Sequence, residues 1–185
     1  ANTITNLGTF TSTGTGGFSL NDLGGLTVSG NVNNTSGAVS IVTTVSPLTI
    51  SADITATSQS LTLTGVGINQ TTGTILAAGL TVNAGAGSIA LTQASNNLTG
   101  SVTLNSTGAS FAITDINAID FAASTLGSGT FTVTAVGITQ SGAITVAGTS
   151  SFNAGAGVIT LTQSNDFTGL VSLNNSGTNN VTIVD

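Results

Sequence analysis

Carboxylates are the only ionisable side chains of this sequence, which contains six Asp residues and no Lys, Arg, His, Glu, Cys or Tyr. A Ser or Thr nucleophile would therefore have no imidazole, amine or thiolate to activate it. Paired carboxylates remain as a catalytic device, because they can act as acid and base in the cleavage of glycosidic bonds. A polysaccharide-active enzyme is thus a distant alternative, to be judged by where the Asp residues lie.

Three of the six Asp residues recur at one position of a repeated pattern. Asp22, Asp115 and Asp185 each end a stretch in which apolar and polar residues alternate, as in FSLND, FAITD and VTIVD. A carboxylate that recurs in this way is typical of a turn residue that accepts hydrogen bonds from its own backbone. We therefore interpret these three residues as structural turn positions and predict no catalytic residue.

Calcium is the metal that carboxylate and amide oxygens would suit best, since hard cations need several converging oxygen ligands. Asp115 with Asp120, or Asp166 with Asn165, could supply part of such a set. The glycine-aspartate nonapeptide of calcium-binding β-rolls is missing. The sequence therefore predicts no metal site and no cofactor.

An internal repeat determines the architecture that must position these residues. Residues 149–185 repeat residues 79–115, and nine of the eleven residues from Asn83 to Gln93 are identical to those from Asn153 to Gln163. The offset is 70 residues. We predict a single solenoid segment over 1–185, with divergent coils at 1–45, one repeat copy at 46–115 and a second at 116–185.

Each repeat is built from short runs that alternate apolar and polar residues, the pattern of half-buried β-strands. Leu61, Leu80 and Val102 recur every 19–22 residues, and the hairpin dipeptides Asn-Gly and Asp-Gly do not occur. These features predict an all-β fold, a right-handed parallel β-helix with coils of roughly 19–23 residues. About nine coils at about 4.8 Å would form a rod of about 43 Å. An antiparallel sandwich is the alternative.

The predicted β-helix buries one ladder of inward-pointing apolar residues. Its predicted members are Leu61, Leu63, Leu80, Val82, Ile89, Leu91, Val102, Leu104, Phe131, Val133, Ile159, Leu161, Val171, Leu173, Val181 and Ile183.

The composition excludes several classes of partner. A chain without a cationic side chain has nothing to neutralise phosphates, which argues against nucleic-acid binding and against anionic membrane surfaces. No apolar run approaches the 18 or so residues that span a bilayer as a helix. Only 3% of residues are charged, against about 25% in an average protein.

The repeats resemble those of filamentous-haemagglutinin-like exoproteins. The resemblance rests on the pattern N-A-G-A-G-x-I-x-L-T-Q, followed by N-D-F-T-G-x-V-S-L-N-N-S-G and V-x-I-x-D, and it is strongest over 61–185. These exoproteins are very large bacterial surface adhesins. The resemblance implies a right-handed β-helix shaft, an extracellular or cell-surface location and a role in adhesion or biofilm formation.

We therefore expect a structural shaft of a secreted fibre, not an enzyme, whose main partner is itself. Both ends of the predicted β-helix look uncapped, and residues after Asp115 resemble those after Ala1. We therefore expect each end to continue into more of the same, either by pairing end to end with another copy or as a covalent tandem array. A module that binds a glycan or a host receptor is the competing function.

Ice binding is a distant alternative, suggested by Thr62-x-Thr64, Thr132-x-Thr134 and Thr160-x-Thr162. An ice face needs these pairs on one face of consecutive coils, where we expect Ala90, Ala112 or Asp120 to interrupt them.

Overall fold

A computed structural model, which describes residues 2–185, shows an all-β protein without a helix in that range. Parallel pairing joins its strands into two sheets, one of nine strands and one of fifteen. None of the described residues forms a helix long and apolar enough to cross a membrane. The predicted all-β fold is therefore confirmed.

The chain winds into coils with three faces, each face carrying one short strand per coil. The first face is the nine-stranded sheet. Its strands are β1 (Asn6–Leu7), β4 (Leu26–Val28), β7 (Leu48–Ile50), β9 (Ile68–Gln70), β11 (Ile89–Leu91), β14 (Ser110–Thr114), β17 (Thr130–Thr134), β20 (Ser150–Asn153) and β23 (Val171–Asn174).

The second and third faces together form the fifteen-stranded sheet, because strands that cross their common corner join them. The second face contains β2 (Phe10–Ser12), β5 (Val32–Asn34), β12 (Asn97–Leu98), β15 (Ile119–Phe121), β18 (Ile138–Gln140), β21 (Ile159–Leu161) and β24 (Val181–Ile183). The third face contains β3 (Phe18–Asp22), β6 (Val39–Thr43), β13 (Ser101–Ser106), β16 (Ser124–Leu126), β19 (Ile144–Val146) and β22 (Asp166–Phe167). The long strands β8 (Ile54–Thr64) and β10 (Ile75–Asn83) supply both faces in their coils.

Stacked strands keep the predicted register. Leu61 pairs with Leu80 and Leu80 with Val102, so the recurrence seen in the sequence is the coil length. All strand pairs are parallel, which rules out the antiparallel sandwich. Nine first-face strands are separated by eight steps, so the described stack is about eight coils long, close to the roughly nine coils that we expected. At about 4.8 Å per step the rod is about 38 Å long.

Most of the predicted ladder lies in a continuous core inside the coils. Twelve of its residues, from Leu61 to Leu161, are no more than 2% exposed. Val171, Leu173 and Ile183 are only half-buried against the core, and Val181 is 42% exposed. These four depart from the expectation because they lie in the last coil of the described chain, where one side has no neighbouring coil.

A row of packed aromatic rings extends through the second repeat copy. Phe121, Phe131, Phe152 and Phe167 contact each other edge to face, with ring centroids 5.6–5.7 Å apart. Such contacts add about 0.5–1.5 kcal/mol each beyond the burial of apolar area. The first copy has Leu61 and Val82 where the second has Phe131 and Phe152, so the core tolerates different packing at the same repeat positions.

The repeated N-A-G-A-G sequence forms a turn that needs both of its glycines. Gly85 and Gly155 each adopt a φ of +53°, a left-handed conformation that side chains disfavour. A β-carbon at Gly87 or Gly157 would collide with the backbone of Gly67 or Gly137 in the adjacent coil. The motif is therefore explained by coil-to-coil packing.

The core position of Leu161 gives a direct test of the fold. Leu161 is fully buried, so we expect Leu161→Ala to lower the free energy of unfolding by about 2–5 kcal/mol. Leu161→Asp should cost more near neutral pH, because no cationic side chain exists to pair with a buried carboxylate. Denaturant unfolding measures both changes. Thr160→Asp is the matched control, since Thr160 lies on the outer side of the same strand; equal costs for Leu161→Asp and Thr160→Asp would contradict the assignment.

Candidate functional site

The three recurring Asp residues bind the backbone of the adjacent coil. The Oδ1 atoms of Asp22, Asp115 and Asp185 accept hydrogen bonds from the backbone N–H groups of Ile4, Leu98 and Phe167, at 2.9, 3.3 and 2.7 Å. The acceptor and the donor are 17 or 18 residues apart in each case. Each carboxylate therefore connects the end of one strand to the backbone of the preceding coil.

These three caps lie at three different corners of the coil. Asp22 ends a third-face strand, Asp115 follows the first-face strand β14, and Asp185 follows the second-face strand β24. Asp22 and Asp115 also accept a backbone N–H two residues further along the chain, from Gly24 and Asn117. These contacts are typical of a turn residue, and they fix each carboxylate next to backbone N–H groups.

Asp115 is the cap whose environment is least favourable to a charge. Asp115 is only 3% exposed, and its Oδ2 atom has no hydrogen-bond partner in the described structure. Burial raises the pKa of the Asp115 carboxyl above its usual 3.8, although backbone hydrogen bonds from Asn117, Leu98 and Ile116 oppose that rise.

The other carboxylates do not gather into a metal site. Among residues 2–185 no three carboxylates come close enough together to hold an ion. Asp120 accepts hydrogen bonds from the hydroxyls of Thr139 and Ser141 in the next coil, at 3.0 and 2.7 Å. Asp166 accepts one from Thr168 at 3.4 Å.

The sequence analysis did not predict two buried pairs of side-chain amides. Gln70 and Asn96 exchange two hydrogen bonds of 2.8 Å, and the Oδ1 atom of Asn96 also accepts the backbone N–H of Ile75. The second copy repeats this arrangement with Gln140, Asn165 and Ile144, and its pair bonds are 2.8 and 3.0 Å. The signal was present in the sequence, because these amides are identical in both copies at positions where inward residues fall.

Two surface clefts also recur at equivalent positions of the copies. One, of about 330 Å³, is lined by Asn83, Asn105 and Thr125 with neighbouring turn residues. The other, of about 390 Å³, is lined by Asn153 and Asn174 with theirs. In each cleft the amide of the later Asn donates to the Oδ1 atom of the earlier one, at 3.1 and 2.8 Å. The clefts are uncharged and offer hydrogen-bonding groups to solvent.

The Thr pairs have other neighbours than we expected. Thr62 stacks on Ser40 and Thr81, and Thr81 stacks on Thr103, all on the third face. Ala90 and Ala112 lie instead on the first face, where Ala112 stacks on Thr132. Asp120 stacks on Thr139, on the second face. The expected interruption is confirmed for the Thr132 row, which continues to Ala112 and Ala90. It was wrong for the Thr62 row, because the three Thr pairs belong to three different faces.

Comparison with known families accounts for the repeat. Residues 37–105 and 108–174 each match a family described as repeats of unknown function (DUF5649), and together they make up more than half of the chain. The chain belongs to this repeat family. No curated protein and no solved structure matches it.

One family repeat contains ten strand segments, whereas one coil contains three. The first matched repeat runs from β6 to β13, with β8 and β10 each counting twice, and the second runs from β14 to β23. Equivalent residues of the two copies therefore lie one face apart. Leu61 is on the third face and its counterpart Phe131 on the first, and Gln70 is on the first face and Gln140 on the second.

The amide pair gives the first stability prediction for the site. Asn96→Ala would leave the Oε1 atom of Gln70 and the N–H of Ile75 without their hydrogen-bond partner, at about 1–3 kcal/mol for each orphaned group. We expect the loss in denaturant unfolding, whereas Asn69→Ala, which removes an exposed amide next to Gln70, should change stability by less than about 0.5 kcal/mol. Equal effects of the two substitutions would contradict a structural role for the pair.

Asp115 gives a prediction about pH. Because its folded-state pKa is raised, its contribution to stability is fully present below about 3.8 and is lost as the pH rises through the raised value. Asp115→Asn removes this titration and keeps an oxygen acceptor for the backbone. The stability of the variant relative to the wild type should therefore increase between about pH 3 and about pH 7.

Asp120→Asn is the control for this experiment, because it removes the same charge from a half-buried position where both carboxylate oxygens accept hydrogen bonds. The free energy of unfolding of both proteins is measured over this pH range. A difference between Asp115→Asn and the wild type that does not change with pH would contradict the account.

Proposed function

We propose that this protein is a structural shaft segment of a secreted fibre at a bacterial surface or in an extracellular matrix. The observation that supports it most is the uninterrupted core, in which each coil covers the apolar ladder of the next. In such a rod the backbone hydrogen bonds between coils run along the axis. The fold therefore provides length and stiffness without a specialised site.

The chemistry of the surface supports a structural role over catalysis. Every ionisable side chain is a carboxylate, and the recurring ones cap backbone N–H groups. A chain with these groups has no imidazole, amine or thiolate to activate a nucleophile. We propose that the protein is not an enzyme, and that it resembles filamentous-haemagglutinin-like shafts in function as well as in its repeat sequence.

Self-association is part of the proposal. Both end coils carry half-buried apolar residues, Ile4, Leu7 and Phe10 at one end and Leu173 and Ile183 at the other. Open strand edges of this kind are templates for pairing with another strand. Further coils of the same type would cover them.

A module that binds a glycan or a host receptor remains the second candidate, and the two uncharged Asn-lined clefts favour it. They recur with the family repeat, which suits a ligand with a repeating, neutral structure. Their shallow form and the lack of an exposed Trp or Tyr argue for weak binding at most.

Electron microscopy and a glycan array on the purified protein separate these functions. A shaft should appear as short rods that join end to end, with no glycan retained above background. Selective retention of one glycan class by single rods would contradict the structural proposal and favour the binding module.

A further inference from the structure

A row of uncharged polar side chains crosses five consecutive coils on the outer side of the third face. Thr64 of β8 stacks on Asn83 of β10, and Asn83 stacks on Asn105 of β13. The row continues through Thr125 of β16 to Thr145 of β19. Strand spacing sets these residues about 4.8 Å apart along the axis, so the row is about 19 Å long.

A second outward row lies beside the first, two residues earlier in the same strands. Its members Thr62, Thr81 and Thr103 stack on one another in three consecutive coils. The two rows are about 7 Å apart along the strand direction. Each of these three coils therefore presents two polar side chains side by side. We call the two rows together the polar track.

The side chains of the polar track are available to a ligand, since all of them are half-buried or exposed. Among the described residues, one hydrogen bond joins two of these side chains, from the Asn105 amide to the Oδ1 atom of Asn83 at 3.1 Å. The amide N–H groups of Asn83, the Oδ1 atom of Asn105 and the Thr hydroxyls remain for solvent or a ligand. The cleft of about 330 Å³ lies against the track, because Asn83, Asn105 and Thr125 line it.

The charges around the polar track favour a neutral ligand. The track contains no ionisable side chain, and the residue that follows Thr145 in the longer row is Asp166. All six ionisable side chains of the sequence are carboxylates. An anionic polymer would therefore be repelled, whereas a neutral one meets only groups whose binding removes no charge from water.

The chemistry of the polar track suits a carbohydrate better than a protein. Protein interfaces depend on a central cluster of aromatic or other large side chains, and the track contains only Thr and Asn. Hydroxyl and amide groups match the hydroxyls of sugars instead, because both sides can donate and accept hydrogen bonds. A polysaccharide repeats a hydroxylated ring along its length as the solenoid repeats a strand, so successive rings can meet successive coils.

We propose that the polar track binds a neutral, extended polysaccharide that lies along the axis of the rod. The proposal gives the shaft a ligand and does not depend on end-to-end association. Each contact is weak, because the chain has no Trp or Tyr to stack on a sugar ring. Affinity comes from many contacts to one polymer chain, each of which raises the effective concentration of the next. Short glycans form too few of these contacts to be retained on an array.

Affinity electrophoresis tests the proposal, because a gel that contains a polysaccharide retards a protein that binds it. We expect at least one of the neutral polymers β-glucan, galactomannan and dextran to retard the rod. The anionic polymers alginate and hyaluronan should not. Short oligosaccharides cut from the bound polymer should compete at least about a hundredfold more weakly than the polymer itself, as multivalent binding requires.

A triple variant tests whether the polar track is the binding surface. Thr62→Val, Thr81→Val and Thr103→Val together remove three hydroxyls and keep the β-branched shape, so the strands should still form. We expect the affinity for the polymer to fall at least about tenfold, because three hydrogen bonds are lost. Thr125→Val with Thr145→Val, in the longer row, should also weaken binding.

A matched variant of the first face is the control. Thr27→Val, Thr49→Val and Thr132→Val remove three outward, half-buried hydroxyls from the same rod. The affinity of this variant for the polymer should equal that of the wild type.

Three results would overturn the proposal. They are free migration in every neutral polymer, equal losses of affinity in the two triple variants, and equal retardation by neutral and anionic polymers. Each of them would leave the shaft proposal standing, because electron microscopy observes the end-to-end assembly of rods separately.

Discussion

The structure depends on the stacking of each coil on its neighbours. A strand of three residues has too little surface to be stable by itself, and here most strands pair on both sides and bury their inward residues between coils. A polar side chain on the inner side is therefore stabilised by a partner in the stack. The carboxylates of Asp22 and Asp115 and the amides of Asn96 and Asn165 bind backbone N–H groups of the adjacent coil.

The ratio of ten strand segments to three faces governs the surface. Successive family repeats advance by three coils and one face, so three repeats are needed before a residue type returns to its face. A surface feature that occurs once per repeat therefore cannot form an unbroken row on one face. Ice binding, which needs one regular face, is disfavoured for that reason, whereas features such as the Asn-lined clefts are distributed around the axis.

Much of the fold was predictable because the repeat fixes both the register and the inner side. The alternation in Leu61-Thr-Leu63 and its recurrence at Leu80 and Val102 gave the coil length and the ladder. The division into faces was not predictable for two reasons. The 70-residue period suggests a whole number of coils, and strands such as β8 cross a corner of the coil without a turn signal in the sequence. The neighbours of Thr62 were misjudged for this reason.

The candidate site shows the same contrast. The turn position of Asp22, Asp115 and Asp185 could be inferred from recurrence alone, whereas their partners lie 17 or 18 residues away and require the coil geometry.

The mass per unit length of the filaments tests the central claim most directly. A solenoid shaft predicts a mass equivalent to 185 residues per about 42 Å, since 26 segments make about 8.7 coils at about 4.8 Å each. A mass equivalent to 185 residues per about 4.8 Å, as in a cross-β fibril, would contradict it.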